Sequence, residues 1–229
     1  MKKLVACLAV AMTLAACGGW DNGEEETDSS TYMQGADAGT TMNHDTMEMQ
    51  AGAMQGNMEQ EMTAMNASMV QHLGAGDSLY DQRFIDMMIP HHEGAVMMAT
   101  DALEKASRPE LRRLAQGIVD AQQKEIAMLR DWRMKWYGSA ESSGMGEMMG
   151  HMNMMNRNMV QSLGAKDSMY EDRFIDMMIP HHQGAIMMAR DAIKSAQHPE
   201  LTNLAEKIIS DLEREIQQMT AWRSEWYGH

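Results

Sequence analysis

From residue 58 onward apolar positions recur with a helical period. Met58, Met62, Met65 and Met69 follow one another at steps of four, three and four, and the stripe closes at Gly74, a residue suited to the left-handed turn that ends a helix. A second stretch opens with a capping-box pattern, Ser78 to Asp81, and runs to about Ala106. Pro109 suits the first turn of a third stretch, which ends at Gly138 after "WRMKWYG". The whole pattern then returns at an offset of 90 residues, with Ser168 to Glu171, a helix to about Ala196, Pro199, and Gly228 after "WRSEWYG". Between residues 77–99 and 167–189, 18 of 23 positions are identical, which marks a duplication. No stretch alternates with a period of two. The expected fold is therefore all-α: a four-helix bundle made of two tandem helical repeats, with an extra short Met-rich helix in each and a pseudo-twofold axis between them.

The first residues follow a different pattern. Lys2 and Lys3 precede an apolar run from Leu4 to Ala16, too short to span a bilayer stably and shaped like a secretory leader. Its end, Leu14-Ala15-Ala16-Cys17, resembles the lipobox of bacterial lipoproteins, in which the Cys becomes the lipidated first residue. An ordinary leader cut near the same place is the alternative. Residues 18–56 are rich in Gly, Asp, Glu, Thr, Ser and Gln without apolar period and read as a disordered tether. The expected organisation is a lipoprotein signal peptide over 1–17, the tether over 18–56, repeat 1 over 57–138 and repeat 2 over 147–229, the two repeats forming one globular domain. Such a protein is exported to the cell envelope or periplasm and held to a membrane by acyl chains.

Composition narrows the chemistry. With Cys7 in the leader and Cys17 lipidated, no thiol remains for metal binding, catalysis or a disulfide. The chain carries 19 Lys+Arg against 33 Asp+Glu, a net charge of −14, which disfavours nucleic acid and attracts cations. Met accounts for 30 residues, while aromatic residues make up only 5 per cent. Ordinary packing does not require that bias.

The string "FIDMMIPHH" occurs at 84–92 and again at 174–182. On a helix Met87, His91, Gly94 and Met98 fall within a sector of about 60°, and Met177, His181 and Met188 share the same face in repeat 2. Adjacent histidines point about 100° apart, so His92 and His182 face elsewhere and can form a second site. Pro90 withholds a backbone donor and is expected to kink the helix one residue before the pair, while Gly94 and Ala95 leave room for a close neighbour. Thioether and imidazole together suit copper, Cu(I) above all and Cu(II) where His and carboxylate dominate. Asp86 and Asp176 are candidates for orienting an imidazole. Since imidazole must be neutral to bind, histidine-dependent binding is expected to weaken below about pH 6.5. In the tether, Met42, His44, Met47 and Met49 form a candidate flexible site.

Other residues read more plainly. The Met58–Met69 stripe has the spacing of a packed helix face. His72, His151, His198 and His229 read as surface or capping residues, and Trp132, Trp136, Trp222 and Trp226 as packing. Glu-x-x-His pairs of a di-iron bundle, a complete zincin motif, a Walker loop, a dinucleotide fingerprint and a nucleophile elbow are all missing from the sequence.

"RFIDMMIPHHEGAVMMA" and "RFIDMMIPHHQGAIMMA", followed by "KEIAMLRDW" and "REIQQMTAW", resemble domain-of-unknown-function family 305, over about 150 residues. The resemblance implies a ferritin-like helical fold and, for some members, periplasmic copper binding connected with copper resistance. Carried over by position, it points to His91, His92, His181 and His182 and to the Met pairs Met97, Met98, Met187 and Met188. The leading expectation is a non-enzymatic, membrane-tethered protein that sequesters or buffers copper. The alternatives are an envelope interaction module that docks to a partner such as a metal exporter, and a copper-dependent oxidoreductase.

Overall fold

The computed structural model describes residues 60–139 and 146–228. The expected leader with Cys17, the tether, its Met42, His44, Met47 and Met49, and also Met58 and His229 lie outside the described residues. All described elements are helices: α1 over 60–73, α2 Tyr80–Lys105, α3 Pro109–Tyr137, α4 Gly146–Leu163, α5 Tyr170–Ser195 and α6 Pro199–Tyr227. Among the described residues no helix is long and apolar enough to cross a membrane. The punctuation follows the sequence. Gly74, Gly138, Gly164 and Gly228 all take positive φ just past a helix end, where a side chain would be strained. Pro109 and Pro199 open α3 and α6, where their missing N–H costs nothing.

The long helices pair as α2 with α3 and α5 with α6, and α2 meets α5. Two apolar cores fill the bundle. One joins the N-terminal half of α2 (Phe84, Ile85, Met88) to the C-terminal half of α5 (Ala185, Met188, Ala192) and the first turns of α6. The other joins the reverse halves, Ala95, Met98 and Ala102 of α2 with Phe174, Ile175 and Met178 of α5 and the first turns of α3. The arrangement requires α2 and α5 to run antiparallel and to exchange ends across the pseudo-twofold axis. Each fully buried Phe, Ile or Met contributes about 1.5–3 kcal/mol to the collapse.

The expected capping boxes do not form. Asp77 and Asp167 close the turns before α2 and α5 by accepting the N–H of Leu79 and Met169, each at 2.9 Å. Asp81 reaches the other repeat, accepting from the N–H groups of Gln197 and His198 at 2.8 Å each and so capping α6. Glu171 returns the exchange at α3, accepting from Ser107 at 2.6 Å and Arg108 at 3.1 Å. The phenols of Tyr80 and Tyr170 donate to Asp191 and Asp101 at 2.7 Å, again across repeats, and burial together with these carboxylates pushes both phenols far above their ordinary 10.0. Each repeat therefore terminates and anchors helices of the other.

Candidate metal centre

Where α2 and α5 pass each other, His91 and His181 stand face to face, with ring centroids 3.9 Å apart and planes tilted by 40°. Pro90 and Pro180 lie inside helices that continue unbroken through them. Their carbonyls receive side-chain amides from the short helices: Asn156 Nδ2 donates to Pro90 at 2.9 Å and Asn66 Nδ2 to Pro180 at 3.0 Å. Gly94 and Gly184 make this possible. A Cβ on Gly94 would collide with Asn156 Oδ1 and stand 3.1 Å from His181 Nε2, and one on Gly184 would collide with Asn66 Oδ1. The room expected beside the histidines is thus taken by the short helices, seated by their asparagines.

This seating places thioethers over the imidazoles. A cavity of about 20 Å³ is lined by Met62, Met65, Asn66 and Met69 of α1, by Met152, Met155, Asn156 and Met159 of α4, and by His91 and His181. All ten fall into five pairs at the repeat offset of 90. Such a space holds a single ion or water and no organic ligand. Met62, Met69, Met152 and Met159 are nearly inaccessible to solvent. The stripe read as packing therefore faces both ways: it packs, and it forms a sulfur-lined roof.

Electrostatics keep the imidazoles neutral. Burial, reinforced by repulsion from the other histidines, holds His91 and His181 well below the ordinary value of 6.5. Their Nδ1 atoms have no hydrogen-bond partner among the described residues, and neither do those of His92 and His182. Leaving a buried polar atom unpaired costs about 1–3 kcal/mol, a cost that a cation on the lone pair would relieve. Neutrality also revises the expected pH dependence. Histidines held below 6.5 keep their lone pairs further into acid than free imidazole does.

His92 and His182 turn away from the cavity, as the helical wheel requires. His92 Nε2 lies 2.9 Å from Glu125 and His182 Nε2 lies 2.7 Å from Glu215, both partners 33 residues downstream. In the neutral ring Nε2–H donates to the carboxylate, which leaves Nδ1 as the bare nitrogen, the way a carboxylate orients a metal-binding histidine. Burial pushes the Glu125 carboxyl up, but hydrogen bonds from His92 and Lys207 outweigh it and leave the group below its ordinary 4.5.

Several expected site residues lie elsewhere. Asp86 and Asp176 orient no imidazole; they pair with Arg133 and Arg223. The orienting carboxylates are Glu125 and Glu215, whose signal was their place in the matched segments "KEI" and "REI". Met87, Met98, Met177 and Met188 are buried in the apolar cores and do not line the cavity. Met97 and Met187 are 39 and 42 per cent exposed and do not line the cavity. The expected shared helical face thus splits: His91 lines the cavity and Gly94 stands against Asn156, while the methionines one turn before and after pack.

What the centre can bind follows from its donors. No group of three or more His, Cys, Asp or Glu among the described residues is placed to hold one ion. A metal here must draw on thioethers beside imidazole, which selects soft cations.

The family profile described as "Domain of unknown function (DUF305)" matches residues 15–133 and 81–223. Among solved structures, CopM in the Cu(I)-bound form is 36% identical, with a TM-score of 0.55, covering 65% of this chain and 98% of its own. CopM in the Ag-bound form obtained by soaking is likewise 36% identical over the same shares, with a TM-score of 0.54. A DUF305 fragment from Deinococcus radiodurans is 26% identical, with a TM-score of 0.54, covering 62% of this chain and 93% of its own. No protein of curated function matches the chain.

Proposed function

The chain belongs to the DUF305 family, and from that premise we propose that it is an exported copper-binding protein that sequesters or buffers Cu(I) in the cavity between its repeats. The observation that carries the reading is the pairing of two neutral imidazoles, whose Nδ1 atoms have no hydrogen-bond partner among the described residues, with six thioethers around a space of about 20 Å³. His91 and His181 would supply nitrogen, and Met62, Met65 and Met69 with their counterparts Met152, Met155 and Met159 would supply sulfur. His92 and His182, oriented by Glu125 and Glu215, are the nitrogen donors next in line. CopM, a similar protein, is solved with Cu(I), Cu(II) and Ag, which supports copper as the cargo.

The cargo is held without chemical change, and the residues named act by binding. A lipid anchor at Cys17 and the tether over 18–56 would hold the bundle outside the cytoplasm, a contribution to copper resistance or homeostasis. An anaerobic Cu(I) titration of the purified protein against a chromophoric chelator tests the reading, beside the variant His91→Ala/His181→Ala. Tight binding that the variant loses is the expected result. Equal competition by both proteins would remove copper from this cavity and bring forward the docking role.

A further inference from the structure

Helices α1 and α4 line a second space. Met65 and Met155 border the inner cavity and also an open groove of about 820 Å³ between the two helices. The groove reaches solvent, and its wall carries His72 from α1 and Met148, His151 and Met154 from α4. Unlike the inner cavity, it does not repeat. At the offset of 90, Glu61 stands where α4 has His151, and Ala64 where α4 has Met154. Both differences put a soft or borderline donor on α4.

Met148 packs partly against the apolar core, but packing does not explain Met154, His72 or His151. Met154 keeps 48 per cent of its surface in water, and His72 and His151 are exposed. His72 is moreover oriented: its Nδ1 lies 2.8 Å from the Ser68 carbonyl. A carbonyl only accepts, so in the neutral ring the proton is on Nδ1 and Nε2 carries the bare lone pair. A ring held through one nitrogen by a backbone carbonyl, with the other nitrogen free, is the arrangement metal-binding histidines adopt. The net charge of −14 raises the local concentration of any cation arriving there.

We propose that this groove is an outer site for a soft monovalent cation, Cu(I) or Ag(I), bound by His72, His151, Met148 and Met154, and that Met65 and Met155 pass the ion inward. The transfer is ligand exchange: one neutral nitrogen or sulfur donor replaces another, no electron moves, and the ion keeps its single charge. The hand-over rests on the copper reading of the inner cavity, whereas the outer site stands on its own donors.

Ag(I), which is diamagnetic and does not change oxidation state here, is the probe, titrated into purified protein labelled at methionine methyls and histidine nitrogens. The first equivalent is expected to move the methyls of Met62, Met69, Met152 and Met159, and further silver those of Met148 and Met154 with the rings of His72 and His151. In His72→Ala/His151→Ala the second set is expected to need about ten-fold more silver or higher, and inner filling to slow, with inner stoichiometry unchanged. Inner methyls that respond while the groove stays silent in excess silver would overturn the outer site and leave the inner one intact. Groove resonances that respond while the inner methyls stay silent would uphold the outer site and overturn the inner reading. An inner filling rate unaffected by the double substitution would overturn the hand-over.

Discussion

Asp86 and Asp176 occupy equivalent positions in the two repeats and meet different surroundings. Asp86 pairs with Arg133 through two hydrogen bonds, at side-chain exposures of 4 and 2 per cent, and Arg133 also donates to the Ser139 carbonyl at 2.9 Å. Asp176 meets Arg223 through a bond of 3.1 Å, at exposures of 28 and 31 per cent, and Arg223 Nε has no hydrogen-bond partner among the described residues. A second contrast lies beyond the histidines. Glu125 takes Lys207 at 2.9 Å as well as His92, while the position equivalent to Lys207 is Gly117, beside Glu215. At the cavity no such difference exists, because all five pairs of lining residues are identical. Residues facing the shared axis serve both repeats at once, whereas those at the rim answer only to their own neighbours.

The largest effect should fall on the symmetric part. His91→Ala and His181→Ala, made singly, are expected to weaken Cu(I) binding by the same factor, more than the roughly 10–100-fold lost when a ligand's orienting partner is removed. The double variant is expected to lose tight binding altogether. Competition titrations of the three variants make the comparison, and unequal single effects would show that the ion sits off the axis, nearer one repeat.

The asymmetric part should appear first in stability. Asp86→Ala strands a guanidinium in the core, and removing one partner of a buried pair costs about 3–5 kcal/mol. Asp176→Ala leaves Arg223 a path to solvent, and a pair so exposed is worth about 0–1 kcal/mol. Urea unfolding of both variants measures the gap. Equal losses would show that Arg223 has no better access to water than Arg133.

Acid probes both repeats together. The unfolded chain takes up protons on His91 and His181 near the ordinary 6.5, while the folded chain resists protonation until well below it. Between those values the unfolded state binds more protons, so stability is full above about pH 6.5 and falls as pH drops toward the depressed folded values. Each histidine contributes up to about 1.4 kcal/mol per pH unit in that window. Thermal unfolding between pH 7 and 4.5 should show the decline, flattened by half in His91→Gln or His181→Gln. A decline unchanged in both variants would assign the acid sensitivity to other groups.

These contrasts also mark what the chain reveals on reading. Helix ends were legible because Gly74, Gly138, Gly228, Pro109 and Pro199 act locally, and the histidine pair because its spacing is repeated. The roof of the cavity was not. A stripe such as Met62, Met65 and Met69 has one period whether it buries a core or lines a site, and only the neighbour across from it decides. Asp81 and Glu171 satisfied a local capping rule, yet cap helices 116 and 64 residues away. Asp86 lay near the histidines in sequence, while Glu125, 33 residues on, reaches His92 in space.

The smallest effects test the rim directly, by making each repeat resemble the other. Lys207→Ala removes a half-exposed partner from Glu125 and is expected to cost about 0–1 kcal/mol, with the Glu125 carboxyl rising from its lowered position. The reverse experiment is Gly117→Lys. A Cβ at Gly117 meets nothing within 4 Å, so the substitution is unstrained, and replacing a glycine inside a helix gains about 0.5–1 kcal/mol by propensity alone. Gly117→Ala isolates that gain, and the difference between the two variants, about 0–0.5 kcal/mol, is the worth of a lysine beside Glu215. A positive difference that vanishes in Glu215→Gln would show that the second repeat lacks only the lysine to match the first. No difference would place the asymmetry in the backbone spacing of α3 and α6.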